Sequence, residues 1–228
     1  MSTQIEISKK LIRYLETTGY RSDKVIDQLV AETSKLGGVA QMQIAPEQGQ
    51  FLEIIVKISQ AKNCLEIGRF TGLSSLCIAK GLPVNGKIIA VDNSDQIVKY
   101  GKNKAKKNGL TNLEFRQGDL QNPPIENNSV DLAILSQALH HAENPFVAIE
   151  QSFRIIKPGG QIMVLDLMKH KFDKAKELFG DRWLGFDEGE LHQWLESAGF
   201  REIEVSVVAR EEEEPYFETL LASAIRPA

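Results

Sequence analysis

A glycine-containing junction between an apolar run and a helical run is the part of the sequence best suited to binding a ligand. Residues 65–75 include Glu66, Gly68, Phe70, Gly72 and Leu73. In α/β proteins, the loop at the carboxyl end of a strand and the exposed N–H groups of the next helix form a ligand site. A dinucleotide fingerprint would need glycines at positions 68, 70 and 73, and the side chain of Phe70 would obstruct the approach of the backbone to a pyrophosphate. The spacing therefore disfavours NAD or FAD.

Acidic residues lie at or just after the ends of the first three predicted strands. Glu66 ends the first strand, Asp92 ends the second at 24 positions after Gly68, and Asp119 follows the third. A carboxylate in the second position can accept both hydroxyls of a ribose, and Asp119 can accept the adenine amino group. S-adenosylmethionine contains an adenosine but no pyrophosphate. Its positively charged amino-acid end and sulfonium suit the carboxylate of Glu66 at the end of the first strand. We therefore predict this cofactor, with local caps or structural ion pairs as the alternative role of each carboxylate.

Three titratable residues follow the fourth and fifth predicted strands, on the acceptor side of such a cofactor. They are His140, His141 and Asp166. Methyl transfer from a sulfonium is an in-line displacement, so the protein mainly aligns the acceptor, and a base is needed only if the acceptor loses its proton in that step. We take these three as candidate catalytic residues. The alternative is that one histidine caps a turn, the other packs, and Asp166 is a turn carboxylate.

The elements that must position these residues alternate between strand and helix. The apolar runs are residues 64–67, 88–91, 113–115, 132–135 and 162–165, and the helical stretches are 74–80, 94–108 and 145–156. Such alternation is typical of a parallel sheet. A helix over 187–198 ends at Gly199, and residues 202–209 and 217–225 follow as an antiparallel pair. The predicted fold is α/β, a doubly wound Rossmann-like seven-stranded mixed sheet with five parallel strands plus a C-terminal antiparallel hairpin.

The N-terminal part of the sequence does not show this alternation of strands and helices. Residues 4–60 have helical periodicity that is broken near Gly37 and Gly38, and no linker separates them from the predicted sheet. We expect a single domain over 1–228, with an N-terminal helical segment at 1–60 and a Rossmann-like core at 61–228. The N-terminal helices are expected to form a lid or an oligomer contact.

Composition excludes several classes of protein. The 228 residues include 27 Lys and Arg against 31 Asp and Glu, a net charge of -4, which argues against sequence-independent binding of nucleic acid. Hydrophobic residues make up 42%, enough for a core, yet no stretch reaches the ~18 apolar residues of a membrane span. Only Cys64 and Cys77 are present, so we expect neither a disulfide framework nor a zinc cluster. A cytoplasmic protein is expected.

Two groups of motifs resemble two lineages of class I S-adenosylmethionine-dependent methyltransferases. Residues 42–52 and 65–72 are similar to the caffeoyl-CoA O-methyltransferase family. Residues 130–141 and 156–160 resemble ubiquinone-biosynthesis-type methyltransferases and the methyltransferase domains of arsenical-repressor-like fusions. The resemblance runs from about Met42 to the C terminus. It implies that the segment from Met42 to Ile44 covers the cofactor and that Arg69 binds it. The residues predicted to bind the cofactor are Met42, Ile44, Glu66, Gly68, Arg69, Phe70, Thr71, Gly72, Ser74, Asp92, Asn93, Gly118, Asp119, Leu120 and Ser136.

The first resemblance also raises the question of a metal. Enzymes of the caffeoyl-CoA type hold a divalent ion with an Asp after the fourth strand and an Asp-Asn pair after the fifth. Here Ser136 and Ala138 stand at the fourth-strand positions, and only Asp166 remains near the second. One carboxylate binds a hard cation weakly, so we predict metal-independent catalysis. The same family suggests a homodimer through the N-terminal helices.

These observations favour a methyltransferase that acts on a small-molecule acceptor, with oxygen as the accepting atom. Carbon and nitrogen acceptors stay open, and arsenic is disfavoured because Cys64 and Cys77 have no third thiol beside them. One alternative is a non-catalytic S-adenosylmethionine-binding protein. The other is an NAD-dependent oxidoreductase, which Phe70 and Leu73 oppose.

Overall fold

The computed structural model describes residues 9–68, 70–211 and 214–228. Its strands are β1 (Asn63–Ile67), β2 (Lys87–Asp92), β3 (Leu113–Gln117), β4 (Val130–Ser136), β5 (Ile156–Leu167), β6 (Arg201–Arg210) and β7 (Glu218–Ile225). They form a seven-stranded sheet in the order β3-β2-β1-β4-β5-β7-β6. Strands β1 to β5 pair in parallel, whereas β7 lies antiparallel to both β5 and β6. The predicted mixed sheet with its terminal hairpin is confirmed.

Helices surround this sheet. They are α1 (Lys9–Tyr14), α2 (Lys24–Thr33), α3 (Pro46–Ser59), α4 (Leu73–Gly81), α5 (Asp95–Lys107), α6 (Pro145–Ile155), α7 (Ala175–Leu178) and α8 (Glu188–Ser197). A π-helical turn spans Leu15–Gly19, and 3-10 segments span Ser34–Met42 and Leu139–His141. No helix in the described part of the chain combines the length and the apolar character that crossing a membrane demands.

Alternate residues of the central strands enter two separate cores, one on each face of the sheet. Leu65 and Ala133 pack in a cluster with residues of α6 and α8, including Ile149 and Leu191. Their neighbours Cys64, Leu132 and Ile134 pack instead in a cluster with residues of α3 and α4, including Val56 and Ile78. Because both faces are covered, β1 and β4 are buried at nearly every position. The doubly wound arrangement is confirmed.

The strand order fixes where a ligand can lie. From β1 the chain adds β2 and then β3 on one side, and it returns to place β4 on the other side of β1. The loops that leave the carboxyl ends of β1 and β4 therefore turn in opposite directions and open a crevice between them. This is the topological switch point of the sheet.

The N-terminal helices pack on α4. Helix α2 begins where the Asp23 carboxylate accepts hydrogen bonds from the backbone N–H groups of Val25 and Ile26, at 2.9 and 3.2 Å. Its buried residues Ile26 and Leu29 pack with Leu73 and Leu76 of α4. The predicted break is present, since Gly37 has a φ of 72° within the 3-10 segment.

One strand boundary differs from the sequence prediction. Strand β5 begins at Ile156 rather than near residue 162, although Pro158, Gly159 and Gly160 are typical of a turn. The pairing with β4 shifts register there, from Val130 opposite Ile156 to Leu132 opposite Gln161. The strand accommodates the extra residues as an irregularity, which local residue preferences do not reveal.

Candidate functional site

The loop after β1 lies against the loop after β4. The Gly68 N–H donates to the carbonyl oxygen of Val91 at 3.1 Å, and Gly68 has a φ of +79°. A Cβ at position 68 would lie only 2.7 Å from the Cβ of Ala138. A side chain at position 68 would therefore both strain the backbone and push the two loops apart.

Both loops carry strained backbone next to this contact. Phe70 has a φ of 46° and Gln137 a φ of 50°, in the left-handed region that side chains other than glycine seldom adopt. Such strain persists where the surrounding structure imposes it, and it concentrates at ligand sites. Gly72, with a φ of 94°, then starts α4, whose first turn contains the buried Ser74.

The N-terminal segment is tied to the glycine-containing loop through Thr71. The Thr71 hydroxyl lies 3.0 Å from the hydroxyl of Thr33, and the Gln43 side-chain amide donates to Thr71 Oγ1 at 3.0 Å and to Thr33 Oγ1 at 2.8 Å. Residues 43 and 44 are thus held against the switch point, with Ile44 half-buried. Sequence reasoning missed Thr33 and Gln43, because nothing local marks a pairing across so many residues.

Two predicted cofactor residues lie wholly or partly outside the described part of the structure. Arg69 lies outside the described residues. Met42 ends the 3-10 segment, and its side chain is likewise not described. Their predicted roles stay predictions.

A buried hydroxyl without a partner lies at the end of β4. Ser136 is 6% exposed, and its Oγ has no hydrogen-bond partner among the described residues. An unpaired buried polar atom is costly, and most such atoms are satisfied by protein, water or ligand. Ser136 is paired in register with Leu165 on β5 and lies beside Gly68, whose Cβ position would be 3.7 Å from the Ser136 carbonyl oxygen. This hydroxyl fits a polar group bound at the switch point.

The three acidic residues at the strand ends have different environments. Glu66 is fully buried and accepts a hydrogen bond from the Ser75 hydroxyl of α4. Asp92 is half-buried and accepts from the backbone N–H of Ser94 at 2.9 Å. Asp119 is exposed and accepts from the backbone N–H of Gln121 at 2.7 Å, which caps a local turn. The carboxylates thus share one edge of the sheet, but only Asp92 lies at a strand end with its side chain partly accessible.

The remaining predicted residues of this region surround Asp92 and Asp119. Asn93 is exposed, and Leu120 packs against the core. Packing alone accounts for a glycine at position 118, because a Cβ there would lie 2.4 Å from Pro124. The Gly118 N–H also donates to the Asp92 carbonyl oxygen at 3.1 Å, which extends the β2–β3 pairing into the loop.

The candidate catalytic residues meet beside the switch point. Asp166, on β5, is fully buried, and its carboxylate lies 2.7 Å from His140 Nδ1. It also accepts the backbone N–H groups of Leu139 at 2.9 Å and Leu167 at 2.8 Å. Asp166 is therefore not the turn carboxylate of the alternative interpretation, because it orients His140 from inside the sheet.

The loop after α7 closes over the two histidines. The backbone N–H groups of Arg182 and Trp183 donate to the His140 carbonyl oxygen at 3.1 and 3.0 Å, and the indole N–H of Trp183 donates to Ala142 at 3.1 Å. This loop brings Asp181 within 3.6 Å of His140 Nε2 and 3.8 Å of His141 Nδ1. Sequence reasoning did not single out Asp181, because its role depends on how this loop folds back.

The two histidines differ in exposure and in charge preference. The His140 side chain is 6% exposed; burial lowers its pKa, but the carboxylates of Asp166 and Asp181 more than offset this and hold the pKa above its usual value. The His141 side chain is 30% exposed, and its pKa is lowered by burial and by the neighbouring His140. His141 Nδ1 lies 3.3 Å from the carbonyl oxygen of Gly180, which can only accept. This contact favours the tautomer with the proton on Nδ1 and a lone pair on Nε2.

The divalent-metal site of caffeoyl-CoA-type enzymes does not fit these residues. Ser136 and Ala138 offer no charge, and both oxygens of Asp166 already accept hydrogen bonds from His140, Leu139 and Leu167. A hard cation needs several oxygen ligands, preferably charged. These three positions therefore do not supply the ligands that such an ion requires.

The doubly wound sheet, its terminal hairpin and the crevice between β1 and β4 define a Rossmann-like fold of the methyltransferase type. The same fold is present in the O-methyltransferase from Bacillus cereus solved in complex with SAH, with a TM-score of 0.69 at 17% identity over 93% of this chain and 96% of that one. The sequence profile of the O-methyltransferase family matches residues 15–131. The chain belongs to this family, which confirms the predicted class I methyltransferase.

Curated relatives include the first of the two lineages that the motifs suggested. A caffeoyl-CoA O-methyltransferase-like protein of Arabidopsis thaliana is 38% identical over 106 residues, which are 45% of this chain and 46% of that protein. The demethylmenaquinone methyltransferase of Listeria welshimeri is 21% identical over 164 residues, 72% of this chain and 70% of that protein. The match to the first relative thus spans less than half of its length.

Proposed function

We propose that this chain transfers the methyl group of S-adenosylmethionine to an oxygen of a small molecule, without the help of a metal ion. The observation that carries the proposal is the contact between the Gly68 loop and the loop that leads from Ser136 to the two histidines. It brings a ligand-binding loop and a possible base to the same crevice. Membership of the O-methyltransferase family supports the same reaction.

The residues proposed to bind the cofactor differ in accessibility, and each is assigned a role that its accessibility allows. Asp92 offers a half-buried carboxylate for the ribose hydroxyls, and Ser136 offers a buried hydroxyl to a polar group of the ligand. Thr71 and Gln43 hold the N-terminal segment over the crevice. Glu66 anchors the first turns of α4 through Ser75. S-adenosylmethionine, when bound there, supplies an electrophilic methyl group on a sulfonium.

His141 is the residue best placed to remove the proton of the acceptor. Its Nδ1–H faces the Gly180 carbonyl, so Nε2 carries the lone pair on a side chain that is 30% exposed. An acceptor hydroxyl that takes up the methyl group would have to lose its proton in the same step. The acceptor proton passes to His141 Nε2. His140 and Asp166 are positioning residues that hold the turn in place.

The wall of the crevice suggests the class of acceptor. Trp183 is 36% exposed and is fixed beside the turn by its indole hydrogen bond to Ala142. Its ring packs against Phe186 and Trp194, and an aromatic wall of this kind beside the histidine turn suits an aromatic acceptor such as a phenol or a quinol. These compounds therefore come first in an acceptor panel, followed by amines.

Cofactor binding is tested first, since it does not depend on the acceptor. S-adenosylmethionine and S-adenosylhomocysteine should raise the melting temperature of the protein, and NAD should not, because only a ligand of the folded state stabilises it. By calorimetry, Asp92→Ala should weaken S-adenosylmethionine binding by about 1.5–3 kcal/mol, the size of a charged hydrogen bond. Asp95→Ala, at a half-exposed carboxylate on the next helix, is the matched control. Unchanged affinity of the Asp92 variant would remove Asp92 from this role.

Turnover is tested by formation of S-adenosylhomocysteine with the acceptor panel. Substitution His141→Gln should lower turnover by about 10²–10⁴-fold while cofactor affinity persists, because a general base contributes that much. His192→Gln, on α8, is the control for a histidine away from the crevice. A loss of less than tenfold would exclude His141 as the base. Binding without turnover on any acceptor would favour the non-catalytic alternative.

Metal independence is tested separately. Full activity after EDTA treatment is expected, and restoration of activity by magnesium would contradict metal independence.

The expected cytoplasmic location, the absence of nucleic-acid binding and the homodimer through the N-terminal helices stay predictions. Gel filtration with light scattering tests the dimer directly.

A further inference from the structure

Three ligand atoms of metal-binding type converge under the loop after α7. They belong to His140, His141 and Asp181, and within the described residues all three atoms lie within 4.8 Å of one another. Asp181 Oδ1 is 3.6 Å from His140 Nε2 and 3.8 Å from His141 Nδ1. We propose that these residues bind one borderline divalent cation of the zinc type.

The carboxylate of Asp181 is the first reason for this proposal. Its side chain is 2% exposed, and Oδ1 has no hydrogen-bond partner among the residues that the structure describes. The two histidine nitrogens are too far away to donate a hydrogen bond to it. A buried carboxylate oxygen without a donor is costly, and a cation between the three atoms would satisfy it.

The spacing and chemistry of the three atoms suit zinc. Metal–ligand distances of 2.0–2.2 Å in a tetrahedral site place ligand atoms about 3.4 Å apart. The two distances from Asp181 Oδ1 exceed this by only a few tenths of an ångström. Two imidazoles and one carboxylate, with a fourth position open, match zinc, whereas magnesium prefers oxygen ligands.

The groups that contact the two histidines from outside the proposed site are also compatible with a bound metal ion. His140 Nδ1 lies 2.7 Å from the buried Asp166 carboxylate, which leaves the lone pair of the neutral ring on Nε2. Carboxylate–histidine–metal arrangements of this kind orient the ligand and raise its basicity. His141 must move its proton from Nδ1 to Nε2 and give up the Gly180 carbonyl, so its ligation competes with a weak 3.3 Å contact.

This site differs from the hard-cation site of caffeoyl-CoA-type enzymes, because it uses neither position 136 nor position 138 and includes a residue from another loop. Occupancy would also place a proton on His141 Nε2 and so remove the base of the proposed reaction. Zinc is then an inhibitor of turnover. That consequence rests on the proposed function, whereas the binding itself does not, so the two can fail separately.

Binding is measured on the full chain after EDTA treatment and dialysis, by competition of ZnCl₂ with a fluorescent zinc chelator. CoCl₂ provides a second readout through the visible absorption of a four-coordinate cobalt site. We expect one Zn²⁺ per chain, no competition by MgCl₂, and at least about tenfold weaker zinc binding for Asp181→Asn and for His141→Ala. His141 is partly exposed, so its variant should fold even if the Asp181 variant does not.

The matched control is His192→Ala, which removes an exposed histidine of α8 and should leave zinc affinity unchanged. A zinc dissociation constant weaker than about 0.1 mM in the wild type would overturn the proposal. Equal affinities for the wild type and the His141 variant would do the same, since they would place the ion elsewhere.

Discussion

The substitution Asp166→Asn tests whether β5 and the histidine turn are held together by one buried carboxylate. Asp166 accepts three contacts, from His140 Nδ1 at 2.7 Å, from the Leu139 N–H at 2.9 Å and from the Leu167 N–H at 2.8 Å. Asparagine has nearly the same shape but only one accepting oxygen. Its amide nitrogen must therefore face one of these donors inside the protein.

The cost can be worked out from these contacts. If the amide oxygen takes the place of Oδ1 and keeps His140 and Leu167, the amide nitrogen faces the Leu139 N–H, and a buried donor without an acceptor costs about 1–3 kcal/mol. The two bonds that remain change from charged to neutral, at roughly 1 kcal/mol each. We expect Asp166→Asn to lower the free energy of unfolding by about 3–5 kcal/mol, the range found when a buried charged pair is broken.

Urea unfolding followed by far-UV circular dichroism, at neutral pH and with EDTA present, measures this difference. Asp173→Asn removes an exposed carboxylate nearby and should change the free energy of unfolding by less than about 0.5 kcal/mol. A loss of less than about 1 kcal/mol for Asp166→Asn would show that the carboxylate does not fix the turn. The proposed positioning of His140 would then have to be abandoned.

Two further predictions concern the crevice and the core. Gly68→Ala should destabilise the protein more than Gly159→Ala, because both positions have almost the same positive φ, +79° and +78°, but only position 68 has a neighbour, 2.7 Å from the added Cβ. If urea unfolding gave equal losses of unfolding free energy for the two variants, the loops after β1 and β4 would have to separate without cost. Cys64 and Cys77 are buried, and burial raises the pKa of each thiol to about 12, so neither should react with Ellman's reagent at pH 9, where a free thiol is largely ionised. Rapid reaction of the folded protein in the absence of urea would contradict this burial.

Residue patterns were sufficient to predict the mixed sheet. Short, largely apolar runs form the central strands, and helical runs follow β1, β2 and β4, so the alternation is visible without tertiary information. Phe70 and Leu73 also exclude a dinucleotide fingerprint by side-chain size alone. These are local properties of short segments, and they can therefore be predicted from the sequence alone.

The environment of each site residue depended on tertiary structure. Glu66, Asp92 and Asp119 look equivalent in the sequence, yet the structure leaves them buried, half-buried and exposed. The start of β5 differs from the prediction because a strand can include turn-like residues when its neighbour supplies the pairing. Burial of a polar residue depends on what covers it, and the covering elements come from distant parts of the chain.

The sequence by itself determined the class of fold, the family and the edge of the sheet where the acidic residues of the strand ends gather. Only the tertiary structure joined Thr71 to Gln43, Asp166 to His140, and Asp181 to both histidines. The physical reason is the difference between local and long-range information. Periodicity reports which face of an element is buried, whereas strand order and the path of the loops decide which side chains meet.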